Sequence, residues 1–63
     1  MTPKQMVLAK EPLAEDWWNP LEMDWCVWDQ PVKISTARII GEGITKDEAW
    51  VDAANKLYLP KWS

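Results

Sequence analysis

A chain of 63 residues can bury at most about 60 % of its unfolded surface, so it is read as one α+β domain with a scarce core. Ten acidic residues against seven basic ones give a net charge of −3, and the chain has no histidine and one cysteine, Cys26, so no enzyme, cofactor or metal site is expected and no internal disulfide can form. Apolar runs such as Met6–Ala9 are too short to cross a bilayer, and the lone cysteine fits a reducing cytoplasm.

Thr2-Pro3-Lys4-Gln5 has the pattern of a helix opening, with Thr2 as N-cap, Pro3 at the first helical position and Gln5 closing a capping box. A helix is expected over residues 3–10, ended by Pro12, and one further helical turn over 13–18 before the break at Asn19-Pro20. Residues 23–29 alternate, with Met23, Trp25 and Val27 on one side and Asp24, Cys26 and Trp28 on the other, which predicts a strand. Asp29-Gln30-Pro31 is then a turn. The β-branched run over 32–40 predicts a second strand, antiparallel to the first.

Gly41-Glu42-Gly43 is expected to end that strand by adopting backbone angles other residues resist. Thr45-Lys46-Asp47-Glu48 is a second capping box with two acids in the first turn, opening a helix over 45–58. Ala49, Trp50, Ala53, Ala54, Leu57 and Tyr58 fall on one apolar face, and the small alanines suit close packing across a sheet. The expected architecture is therefore α-β-β-α.

Two features distinguish the chain from a featureless small domain. Between Glu11 and Pro31 there are six acids and no lysine or arginine, a local charge of −6 that leaves the remainder at +3. Of six tryptophans, four fall within residues 17–28, more than so small a hairpin can enclose. Glu15, Asp16, Trp17, Trp18, Glu22, Met23 and Asp24 are therefore the candidate partner-binding residues. Aromatic anchors ringed by carboxylates suit a basic protein surface, because the rings provide affinity and the acids provide steering. Cys26, inside a predicted strand, reads as a small buried hydrophobe rather than a reactive thiol.

Gly41, Gly43, Thr45, Ala49, Trp50, Ala53 and Ala54 form a pattern that resembles small uncharacterised proteins encoded by bacteriophages and prophages. That resemblance implies a viral accessory protein in the host cytoplasm without implying an activity; the acidic, tryptophan-rich segment makes a host or phage protein the expected partner. The segment from Gly41 to Ala49, with Ala53, Ala54 and Leu57, is also similar to the end of a double-stranded-RNA-binding domain. In that family the helix start carries three basic residues; here only Lys46 matches, with Asp47 and Trp50 at the other two places, and two strands are expected where the family has three. The leading expectation is a non-enzymatic protein-binding module that inhibits or modulates its partner through an acidic, nucleic-acid-mimicking surface. Nucleic acid is disfavoured by the acidic half, although Lys33, Arg38, Lys46, Lys56 and Lys61 supply an alternative basic set; a homodimer burying the tryptophans is the third option.

Overall fold

In the computed structural model, which describes residues 1–58, the chain begins as its first turn dictates. Thr2 Oγ1 accepts the Gln5 amide at 3.2 Å and Gln5 Oε1 accepts the Thr2 amide at 2.9 Å, closing the expected capping box on α1 (Pro3–Lys10). Three strands follow, β1 (Glu15–Asn19), β2 (Asp24–Trp28) and β3 (Ile39–Gly43), and then α2 (Lys46–Tyr58). The strands form one antiparallel sheet in the order β1-β2-β3. The α+β class stands, but the order is α-β-β-β-α rather than α-β-β-α.

The additional strand is β1, where a turn of helix was expected over 13–18. Pro12 and Pro20 leave too short a stretch to repay the cost of nucleating a helix, whereas pairing with β2 supplies ladder partners along one side of the strand. Trp18 lies opposite Trp25, and Trp17 opposite Cys26. The expected strand over 32–40 is corrected as well, since only its last two residues join β3. Val32 to Thr36 instead belongs to a loop of successive turns, with the Ile34 amide donating to Pro31 O and the Ala37 amide to Ile34 O. Asp29 fastens the base of the loop: its amide donates to Arg38 O at 3.0 Å, and its Oδ1 accepts the Arg38 amide at 2.8 Å.

Gly41 and Gly43 lie within β3 rather than terminating a strand, and neither has a positive φ. What they provide is space. A Cβ on Gly41 would lie 2.5 Å from Ala49 O and 2.6 Å from Ala53 Cβ, and one on Gly43 would lie 2.6 Å from the Ala49 amide nitrogen. Glycines two apart share one face of a strand, and alanines four apart share one face of a helix, so bare backbone meets short side chains. Val7, Val27, Ala49, Trp50, Ala53 and Ala54 make the buried core between the sheet and the two helices.

The helices lie side by side with their N-termini at the same end. Lys4 Nζ sits 5.5 Å from the Trp50 ring at that end, while Tyr58 Oη donates to Met6 O at 2.8 Å and Lys10 Nζ donates to Leu57 O at the other. Thr45 Oγ1 accepts the Glu48 amide at 3.1 Å, as the second capping pattern predicts, but the Glu48 side chain accepts the amide of Ile44 instead of Thr45. Asp52 Oδ2 likewise accepts the Glu42 amide at 2.9 Å. The acids of α2 thus occupy donors along the outer edge of β3, which would otherwise invite pairing by another chain.

This edge contact is pH-dependent. Partial burial pushes the Asp52 carboxyl up, but the hydrogen bonds from Lys56 and from the Glu42 amide, with the Lys56 charge, outweigh it and hold the pKa below its ordinary value. A carboxyl depressed in the folded state stabilises the fold above its unfolded pKa and loses that contribution as pH falls through the folded value. Urea midpoints of the native protein should therefore drop more steeply below about pH 4 than those of Asp52→Asn, and parallel acid limbs would contradict this.

Candidate partner-binding face

Strand alternation divides the sheet into two faces. Asp16, Trp18, Trp25, Val27, Gly41 and Gly43 point toward the helices. On the opposite side the register aligns Trp17 with Cys26 and Glu42 across all three strands, Asn19 with Asp24, and Glu15 with Trp28. No strand contains a lysine or arginine, so Glu15, Asp24 and Glu42 are the strand charges on this face, uncovered in the sense that neither helix packs on it. Trp17 stands among them with half of its surface exposed.

The structure therefore divides the residues singled out from the sequence. Glu15, Trp17 and Asp24 share the uncovered face. Trp18 points the other way, where its ring meets Trp25 edge to face at 5.7 Å, and Lys46 Nζ lies 4.7 Å from the Trp25 ring. Asp16 also faces the helices, and its Oδ2 accepts the indole N–H of Trp50 at 3.0 Å. Glu22 and Met23 lie in the exposed β1–β2 turn. Glu42 was missed from the sequence, although the Gly-x-Gly pattern around it carries the signal: glycines turned toward a helix turn the intervening residue away from it.

Cys26 is buried at the middle of the uncovered face, with Asn19 Nδ2 at 4.0 Å and Asp24 Oδ1 at 3.7 Å from its sulfur. Burial pushes the thiol pKa up, and the negative charge of Asp24 adds to the shift. A buried thiol biased toward its protonated form is a poor nucleophile, so Cys26 serves as a small buried side chain cross-strand from Trp17. Among the described residues no group of three or more His, Cys, Asp or Glu side chains could hold a metal ion. The Trp28 indole N–H, cross-strand from Glu15, is buried with no acceptor among those residues.

Met23 has φ 56°, the one positive φ among the described non-glycine residues, and 69 % of its surface is exposed. Asn19 Oδ1 holds the turn by accepting the Leu21 and Glu22 amides, leaving Met23 to reverse the chain in a conformation that glycine tolerates better. Met23→Gly should raise stability by about 0.5–1 kcal/mol, read as a higher urea midpoint at unchanged slope. A lower midpoint would mean that the side chain packs.

Two concavities adjoin these elements. One, of about 420 Å³, lies between β1 and the β2–β3 loop and is lined by Glu15, Trp17, Pro31, Val32 and Lys33. The other, of about 470 Å³, lies at the shared N-terminal end of the helices beside Lys4, Lys46 and Trp50. The alternative basic residues are dispersed: Lys33 and Arg38 in the β2–β3 loop, Lys46 at the start of α2, and Lys56 near its end in an ion pair with Asp52 at 2.9 Å. Lys61 lies outside the described residues. No described helix is long and apolar enough to cross a membrane. No family model, curated protein or solved structure matches this chain.

Proposed function

We propose that the protein is a non-enzymatic protein-binding module, of the phage accessory kind its C-terminal pattern resembles, that docks its uncovered sheet face on a basic surface of a host or phage protein. The reading rests on one observation: a half-exposed Trp17 stands on a face whose strand charges, Glu15, Asp24 and Glu42, are all negative. The ring supplies apolar area to bury, and the carboxylates steer a cationic partner and occupy the positions phosphates would take on it. A module docked in this way would inhibit its partner by occupying a nucleic-acid-binding surface.

The test is affinity capture from bacterial lysate followed by binding to the purified partner. Partners should be basic, released by salt and displaced by duplex DNA, and they should be lost to Glu15→Gln/Asp24→Asn/Glu42→Gln and to Trp17→Ala. Full retention by both variants, each shown to be folded, overturns the proposal. A second reading is favoured by the sheet's third strand, the number the double-stranded-RNA-binding resemblance implies, with Lys46 at the helix start. Salt-sensitive binding to duplex RNA that disappears in Lys46→Ala would establish it instead.

A further inference from the structure

We infer that the notch between β1 and the β2–β3 loop is a socket for one arginine side chain of the partner; this deepens the docking reading above and rests on it. The loop reaches β1, where the Val32 amide donates to Glu15 Oε1 at 2.9 Å and fixes the carboxylate at the edge of the face that no helix covers. One oxygen is engaged by the loop and the other has no hydrogen-bond partner among the described residues. The exposed Trp17 ring forms one wall, Pro31 and Val32 line the loop side, and the space of about 420 Å³ admits a long side chain.

The chemistry of these walls selects the occupant. A guanidinium is flat, weakly hydrated and able to stack on an indole while donating to a carboxylate, and its aliphatic stem suits the apolar loop wall. The chain already packs cations over rings at three places, Lys4 on Trp50, Lys10 on Tyr58 and Lys46 on Trp25. Trp17 has no such cation among the described residues, although a carboxylate stands two positions away on the same face. Lys33 lines the socket as well and repels an incoming cation, so it limits affinity rather than supplying it.

The experiment titrates the intact protein with a short blocked peptide containing one arginine, and with citrulline and lysine counterparts, following indole and amide NMR signals. The arginine peptide should move the Trp17 indole and Val32 amide signals most, and the neutral citrulline peptide should bind about tenfold more weakly. Trp17→Ala and Glu15→Gln should each weaken binding about fivefold, and Lys33→Gln should strengthen it about twofold. Glu15→Gln retains an acceptor for the Val32 amide, and thermal unfolding of each variant checks that the fold persists. Equal binding of the citrulline peptide, no detectable binding of the arginine peptide, or indifference to both Trp17→Ala and Glu15→Gln overturns the socket. Protamine, a polycation, separates the two levels: if it still perturbs Asp24 and Glu42, the socket alone has failed. If it leaves the whole face unperturbed, the docking reading has failed as well.

Discussion

Gly41→Ala is expected to remove a large share of the stability of this domain. The added methyl would stand 2.5 Å from the carbonyl oxygen of Ala49 and 2.6 Å from the nitrogen of Ala53, both helix backbone, so no flexible side chain can yield. The whole of α2 would have to lift off the sheet, separating Ala49 and Ala53 from the strand beneath them. Overpacking of this kind costs about 1–3 kcal/mol and more when backbone must move. Alanine's smaller unfolded-state entropy offsets only about 0.4–1 kcal/mol of that. A domain this short has about 3–9 kcal/mol in total at the usual stability per residue, so a loss near 3 kcal/mol removes between about a third and all of it. Urea unfolding followed by tryptophan fluorescence measures the loss. Glu42→Ala, between the two glycines but on the exposed face, should change the midpoint little. A Gly41→Ala protein as stable as that control would show that α2 does not rest on bare strand.

The same contact explains which parts of the fold were legible in the sequence. Both helices are announced locally, by Thr2 with Gln5 and by Thr45 with Glu48, and their caps form within four residues of chain. The strands depend on distant partners. Val32, Ile34 and Thr36 have the residue types of a strand, yet β3 uses Gly41 and Gly43, because α2 needs a surface without side chains and tertiary packing outweighs β-propensity. β1 was hidden for a related reason. Its adjacent tryptophans spoil the expected alternation, since Trp17 and Trp18 face opposite ways, and the acid between Glu15 and Trp17 points inward. An excess of tryptophan over core was visible from composition alone. Which rings lie on one surface with which carboxylates was not, because that follows from a register set by β2 and β3.

Glu15 and Asp16 show how far apart two neighbouring carboxylates on one strand can stand in role. Trp50 is 3 % exposed, and its indole N–H reaches Asp16 Oδ2 across 34 positions of sequence, tying α2 to β1. Trp50→Ala should cost about 3–5 kcal/mol, a third or more of the whole stability, through the cavity it leaves. Trp50→Phe keeps an aromatic ring but deletes the donor, so a smaller loss of about 1–3 kcal/mol is expected, for the unpaired, part-buried carboxylate. Asp16→Asn preserves an acceptor and should cost less, whereas Asp16→Ala removes it. If the hydrogen bond carries the effect, Trp50→Phe and Asp16→Ala together will cost about 1 kcal/mol less than the sum of the single losses. Strict additivity would mean that Trp50 acts through ring volume alone. Because Asp16 faces the helices and Glu15 faces away, Asp16→Asn should lower stability while leaving partner affinity intact. Glu15→Gln should do the reverse, and a partner that responded equally to both would have to contact the edge of β1 rather than its uncovered face.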